Sequence, residues 1–198
     1  MKLKKAIGLT CVIFCWGVST IANSAECDSL ETQAADQTLV IDPLPQRKGP
    51  RVQTSGRVPH VQLDIDLNQA LVSELYRLAY LLPGVEERPT IVSLPGAKGM
   101  WLDDKVPVVH SKEIVSGREF SHIHEDGSLH APLSYKRALE VEQKGWGERH
   151  PWADRFDGWE GLVMLYSATD TDQLKVLIQL VTESYNYVTG QTVSTPGC

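Results

Sequence analysis

The chain has 198 residues and a formal net charge of −6, with 25 acidic and 19 basic side chains. This length is enough for one domain built around one hydrophobic core. The acidic balance argues against a nucleic acid as partner, because nucleic acids attract a basic surface, and against an anionic membrane surface.

The first 25 residues have the order of a secretory signal peptide. Three lysines stand within the first five residues, residues 6–18 are apolar, and residues 19–25 are small and polar. The apolar run is shorter than the roughly 20 residues of an uncleaved membrane anchor. We therefore expect a mature protein that starts between residues 23 and 26, is periplasmic or secreted, and has no stable membrane anchor.

Removal of this segment would leave two of the four cysteines. Cys11 and Cys15 fall inside the predicted signal peptide, whereas Cys27 and Cys198 stand at the two ends of the mature chain. In an oxidising compartment such a pair is expected to form a disulfide. The bridge would close nearly the whole chain, which is worth roughly 4–5 kcal/mol in the chain-entropy model. The alternative is two free terminal thiols.

Residues 26–65 are predicted to be an irregular N-terminal wrap, because prolines and glycines interrupt every period. Only residues 38–41 could form a short strand there. Residues 66–198 are predicted to be a single domain. Its first helix would begin at the N-cap Asp66 and end before Pro83.

Further elements follow in chain order. Short strands are predicted over residues 90–94, 100–102 and 106–109, and a continuous apolar strand over residues 162–166. Since strands and helices are not regularly alternated, the pattern predicts an α+β fold. Its sheet would be mostly antiparallel, with about three helices packed mainly on one face.

Two further helices have clear ends. Ser134 is predicted to cap a helix over residues 135–144, and Asp170 a last helix that ends at Gly190. Between the first of these helices and the apolar strand, residues 146–156 have no period and are predicted to be a loop. Loops of that aromatic composition beside a rigid sheet often line sites.

The centre of the predicted sheet is a hairpin that holds three of the six histidines, His122, His124 and His130. A two-residue loop at Asp126-Gly127 would split the histidines between the two sheet faces. A three-residue loop at Glu125-Asp126-Gly127 keeps both alternations of polar and apolar residues. We therefore predict that the three histidines share one face, with Ile123 and Leu129 on the buried opposite face.

These histidines are candidate catalytic residues, together with Glu148 and His150 from the following loop. Three imidazoles with an open coordination position suit zinc, so His122, His124 and His130 are also candidate metal ligands. Two histidines with Glu148 would suit non-haem iron. A metal-free site is equally coherent, because one imidazole could deprotonate an enol while another holds the oxyanion.

Arg118, His60 and His110 show no pattern that assigns them to a specific site. Arg118 could bind an anionic substrate or form a surface salt bridge. His60 and His110 lie outside the hairpin pattern and are interpreted as ordinary surface or strand residues. The Gly-x-Ser-x-Gly motif of serine hydrolases is absent from the sequence.

Three motifs together resemble the luciferase-domain family: residues 94–97, residues 118–130, and the Gly-Trp-x-Glu-x-His-Pro block at residues 145–151. The resemblance covers roughly residues 66–188, nearly the whole of the predicted domain. Fungal members oxygenate an enolised pyrone and emit light, and they keep a membrane helix at the N-terminus. The resemblance therefore implies oxygen chemistry on an electron-rich enol, with Trp146 and Trp152 as a substrate-binding aromatic lid.

Two function classes stay open at this point. One is a small exported enzyme of oxygenase type that acts on a small enolic or aromatic molecule. The other is a non-catalytic periplasmic protein that holds a metal or a small ligand on the same histidine face.

Overall fold

The computed structural model describes residues 42–63 and 65–197. The predicted signal peptide, the strand predicted over residues 38–41 and the predicted Cys27–Cys198 bridge lie outside these ranges. From Pro43 onward the described residues form one compact unit. No helix within the described ranges is long and apolar enough to cross a membrane.

The described part of the chain folds into three α-helices, one short 3-10 helix (Ser111–Glu113) and eight strands. The helices are α1 (Gln69–Ala79), α2 (Tyr135–Lys144) and α3 (Thr171–Thr189). The strands are β1 (Gln53–Thr54), β2 (Gln62–Leu63), β3 (Val85–Pro89), β4 (Lys98–Leu102), β5 (Glu119–Ile123), β6 (Leu129–Pro132), β7 (Gly147–Arg149) and β8 (Leu162–Leu165).

The six strands β3 to β8 form one antiparallel sheet in the order β3-β4-β5-β6-β8-β7, and β1 pairs with β2 in a separate two-stranded sheet. Helix α3 contacts β6 and α1, while α2 contacts β7 and β8. The predicted α+β class with a mostly antiparallel sheet is confirmed. The histidine hairpin β5-β6 lies at the centre of the six-stranded sheet.

The predicted ends of α2 and α3 are confirmed by their caps. Ser134 accepts a hydrogen bond from the backbone of Arg137, and Gly145 ends the helix in the left-handed region with φ 75°. Asp170 and Gly190 play the same two roles for α3. The start of α1 was predicted wrongly at Asp66. Its cap is Asn68, whose side chain accepts from two backbone N–H groups of the first turn.

Two predicted strands are not strands in the structure. The edge strand lies at Val85–Pro89 rather than over residues 90–94, and most of its side chains are exposed and charged. Backbone pairing with β4, and not side-chain burial, holds this strand in the sheet. The strand therefore needs no apolar run, and a search for apolar residues does not find it. Residues 106–109 are also irregular. Within the stretch predicted to be a loop, Gly147–Arg149 pairs with β8 as strand β7.

The apolar face of the hairpin points into the core, as predicted. Ile123 and Leu129 are fully buried and belong to the cluster that includes Leu177 and Tyr185 of α3. The N-terminal wrap contributes to this core as well, because Leu44 is buried in the same cluster. The segment before α1 is therefore part of the packed structure, and it also reaches the histidines of the hairpin.

Candidate functional site

The hairpin has the three-residue loop. His122 pairs with His130 and Ile123 with Leu129, and the backbone N–H of His124 donates to the carbonyl of Ser128. Gly127 closes the loop with φ 81°, in the left-handed region that favours glycine. The prediction that the three histidines share one sheet face is confirmed.

This face is covered by other segments of the chain and is not open to solvent. His122, His124 and His130 are each only 7% exposed. Residues from 58–60, 92–94 and 150–162, together with Val115, border these histidines and line a cavity of about 270 Å³ that is open on one side. The cavity is lined by Val58, Pro59, His60, Val92, Ser93, Leu94, Val115, His122, His124, His130, His150, Trp152, Trp159 and Leu162.

His60 was interpreted as an ordinary residue, and this was wrong. Its Nδ1 atom lies 3.1 Å from Nε2 of His130, and its Nε2 atom lies 2.7 Å from Oε1 of Glu148. The segment around His60 has no strand or helix period that would assign the side chain to a face. The sequence around His60 gave little indication of a site, since it shows only a histidine after a proline in a segment with few other catalytic residue types.

His150 reaches the cluster from the end of β7. Its ring centroid lies 5.2 Å from that of His130 and 5.4 Å from that of His60. Its Nδ1 atom accepts a hydrogen bond from the backbone N–H of Trp152. Glu148 does not line the cavity and contacts the cluster through His60. It also accepts hydrogen bonds from Thr54 and Tyr166.

Two carboxylates border the cluster at opposite ends. Oε1 of Glu119 lies 3.5 Å from Nδ1 of His122, and Glu119 also accepts from Thr90 and from the backbone N–H of Ile91. Glu148 lies behind His60. Burial raises the pKa of each carboxyl, but hydrogen bonds led by those from His122 and His60 outweigh it and leave both pKa values lowered. Both groups are therefore ionised at neutral pH.

Three imidazoles of the cluster, those of His124, His130 and His150, are neutral at pH 7. Burial, with a smaller contribution from the neighbouring His122, lowers the pKa of His124 to about 4. Burial and the neighbouring His60 and His122 lower the pKa of His150 to about 4. The pKa of His130 is lowered well below its usual value, again mainly by burial. Neutral imidazoles offer one donor and one acceptor nitrogen each.

Two predicted substrate-binding residues do not line the cavity. Trp146 is 6% exposed in the hydrophobic core, and its indole N–H donates to the carbonyl of Pro45. Arg118 donates to the backbone carbonyls of Leu102 and Asp103. The indole of Trp146 and the guanidinium of Arg118 therefore bind backbone carbonyls and hold the fold.

The aromatic wall of the cavity comes from Trp152, as predicted, and from Trp159, which sequence reasoning did not single out. The Trp152 ring lies 5.7 Å from His150, and the Trp159 ring lies 6.3 Å from it, both edge-on. The site therefore joins buried neutral imidazoles to aromatic and aliphatic walls, a composition suited to a small ring-containing ligand.

Residues 117–184 match the family model described as Luciferase domain. We assign the chain to the luciferase-domain family. The matched segment contains four of the five clustered histidines, together with Trp152 and Trp159. His60 lies outside it.

The relatives of this luciferase-domain protein include fungal luciferases. The luciferase of Armillaria mellea is 30% identical over 177 residues, which cover 76% of this chain and 65% of the relative. The luciferase of Armillaria ostoyae is 27% identical over 172 residues, 77% of this chain and 64% of the relative. The chain thus spans less than two thirds of the length of these relatives. No solved structure matches the chain.

Proposed function

We propose that this luciferase-domain protein is a small exported oxygenase that acts on an enolic or aromatic small molecule in the histidine cavity. The observation that carries the proposal is that acceptor and donor nitrogens of neutral imidazoles meet in one cavity with aromatic walls. Membership of a family that contains fungal luciferases supports oxygen chemistry.

His124 has the tautomer of a general base. Its Nδ1 atom lies 2.8 Å from Oγ of Ser128, whose hydroxyl donates to Asp126. Because the Ser128 hydroxyl donates its hydrogen bond to the carboxylate, its oxygen accepts a hydrogen bond from the Nδ1–H group of His124. The Nε2 lone pair of His124 is then free to take a proton from an enol or phenol.

His150 has the opposite tautomer. Since its Nδ1 atom accepts the backbone N–H of Trp152, the neutral ring carries its proton on Nε2. This N–H can stabilise the oxygen of the enolate that forms when the substrate loses its proton. The enolate carbon then gives two electrons to dioxygen and forms a carbon–oxygen bond. The proton returns to the peroxide, so that RH and O₂ give ROOH without an external reductant.

The cavity sets the size of the substrate. A volume of about 270 Å³ is near the lower limit of small-molecule sites, which fits a molecule of one or two rings. Trp152 and Trp159 offer aromatic surface to such a ring, and Leu94 and Val58 offer aliphatic contacts. The acidic balance of the chain gives no attraction to an anionic polymer.

Oxygen uptake with a panel of enolic pyrones and phenols tests the proposal. We expect uptake that His124→Gln and His150→Ala each reduce at least about 100-fold, since the first removes the general base and the second the donor to the enolate oxygen. His110→Ala is the matched control, since His110 stacks on Tyr187 and does not line the cavity. No uptake with any substrate that binds would instead favour the non-catalytic alternative.

That alternative is an exported protein that holds a ligand at the same face without turnover. Its support is that His60, His130 and His150, and likewise His122, His124 and His130, have ring nitrogens within 4.8 Å of one another. Export itself rests on the charged, apolar and small order of residues 1–25. Mass spectrometry of protein from the culture medium or periplasm should find a chain that starts at residues 23–26.

A further inference from the structure

Polar and apolar side chains are unevenly distributed between the floor and the opening of the histidine cavity. The floor is polar and nearly inaccessible to solvent, since the three hairpin histidines are each buried. Val58 and Leu94 also line the cavity, yet their side chains are 42% and 43% exposed. Side chains that both line a cavity and meet solvent lie where the cavity opens. The polar groups are therefore deep, and apolar side chains border the opening.

Phe156 extends this apolar border beyond the cavity wall. Its side chain is 50% exposed. Its ring centroid lies 4.8 Å from that of Trp159 and 6.3 Å from that of Trp152, and both tryptophans line the cavity. Single exposed apolar residues are common on protein surfaces, but a group of them around one cavity marks a binding surface. We call Val58, Leu94 and Phe156 the apolar rim.

Local hydrogen bonds hold two of the rim residues in place. Val58 lies in a bend in which Oγ of Ser55 is 2.8 Å from two backbone carbonyl oxygens. Leu94 begins a turn in which its carbonyl accepts from the backbone N–H of Ala97 at 3.2 Å. The backbone, and not burial of the side chains, therefore fixes these apolar groups at the opening. Their contact with water is unfavourable until a ligand covers them.

The lining favours an uncharged ligand. Within the described part of the chain, no lysine, arginine, aspartate or glutamate lines the cavity. A charged substituent would therefore meet no opposite charge there, and its desolvation would not be compensated. A hydrocarbon substituent, by contrast, would remove the apolar surface of the rim from water.

The size of the cavity directs such a substituent outward. A volume of about 270 Å³ fits a molecule of one or two rings. In the proposed reaction the hydroxyl group of this ring meets His124 and His150. A longer substituent on the far side of the ring must then leave through the opening, where the rim lies.

We propose that the substrate is an amphiphile, a single-ring enol or phenol with a hydrocarbon chain that leaves the cavity and packs on the apolar rim. The inference rests on the proposed function for the identity of the buried ring, whereas the chain is inferred from the rim and the lining. Each methylene that the rim covers should raise the affinity about 2–4-fold, because burial of apolar surface is favourable in proportion to its area.

Calorimetric titration of the full chain with phenol and its para-alkyl derivatives, from methyl to pentyl, tests the proposal. The titrations are anaerobic, so that binding is measured without consumption of the ligand by oxygen. We expect the affinity to rise about 30-fold or more from para-methylphenol to para-pentylphenol. The phenol whose para-butyl chain ends in a carboxylate should bind at least about 10-fold more weakly than para-butylphenol.

Substitutions at the rim separate the chain from the ring. Leu94→Ser and Phe156→Ser should each weaken binding of para-pentylphenol about 3–10-fold and leave binding of phenol within about 2-fold. Leu81→Ser is the matched control and should change neither, since Leu81 is 58% exposed and does not line the cavity. Circular dichroism checks the fold of each variant, and Val58→Ser is a further rim variant if one of the others does not fold.

Three results would overturn the proposal: no binding of any alkylphenol, equal affinity along the series, or a chain dependence that all rim variants retain. Binding to neutral phosphatidylcholine vesicles that the rim variants abolish, without any chain dependence, would also overturn it and assign the rim to a lipid surface.

Oxygen uptake is a separate measurement that tests the proposed function. Alkylphenols that bind with the expected chain dependence and are not consumed in air would support the amphiphile and contradict the oxygenase. Consumption of phenols without chain dependence would contradict the amphiphile and leave the oxygenase standing.

Discussion

Nε2 of His60 lies 2.7 Å from Oε1 of Glu148, and both residues are remote from each other in sequence. This contact joins the segment before α1 to strand β7. Because Nδ1 of His60 also contacts His130, one side chain connects the N-terminal segment, the edge of the sheet and the central hairpin. The histidine cluster is therefore a structural element as well as a candidate site.

Replacement of His60 should destabilise the protein. In His60→Ala both Glu148 and His130 lose a buried partner, which costs about 1–3 kcal/mol. Urea unfolding followed by circular dichroism measures this change. His110→Ala is the matched control, with an expected change within about 0.5 kcal/mol, since its side chain is 43% exposed. Equal stability of the two variants would contradict the structural role of His60.

The local features of the site could be predicted from sequence, and its closure could not. The loop of the hairpin follows from the alternation around Ile123 and Leu129 and from Gly127, whose φ of 81° lies in the left-handed region. The contribution of His60 depends on a segment without any period that packs across the sheet. Trp146 illustrates the same limit. Its neighbours in sequence suggested a lid, but which side of the sheet a tryptophan enters is decided by tertiary packing.

Trp146 and Trp152 should respond differently to the same substitution. Trp146→Phe removes the indole N–H that donates to Pro45 at 2.7 Å and leaves a gap in the core. We expect it to lower the free energy of unfolding by about 1–3 kcal/mol and to leave ligand affinity nearly unchanged. Trp152→Phe changes the cavity wall and should alter ligand affinity with little effect on unfolding. The reverse pattern would return Trp146 to the site.

Arg118 should act through the backbone that it holds. Its side chain donates to the carbonyls of Leu102 and Asp103, where β4 ends. Arg118→Ala leaves these part-buried carbonyls without their donor, and we expect a loss of about 1–2 kcal/mol in the free energy of unfolding. Binding of an anionic ligand in the cavity should be unchanged once the protein is folded. A selective loss of anion affinity without loss of stability would support the earlier substrate-binding interpretation.

Glu140 gives the fold a pH dependence that is separate from the histidines. Its carboxylate accepts from the backbone N–H of Leu44 at 2.7 Å and from Arg137 at 2.6 Å, and thereby fastens the N-terminal segment to α2. Burial raises the pKa of Glu140, but these hydrogen bonds outweigh it, so the pKa lies below its usual value of 4.5. A carboxyl with a lowered pKa stabilises the folded state above the unfolded pKa, and this stabilisation is lost as the pH falls through the folded value.

Glu140→Gln should therefore show its effect at neutral pH and not in acid. At pH 7 we expect the variant to unfold with a free energy about 1 kcal/mol lower than that of the unchanged protein, a value discounted for solvent screening because the side chain is partly exposed. The difference should shrink as the pH falls below about 4.5, since the unchanged protein then loses the same charge. Urea titrations at pH 7, 5 and 3.5 measure it. A difference that stays constant over this range would mean that packing, not the charge, fastens Leu44 to α2.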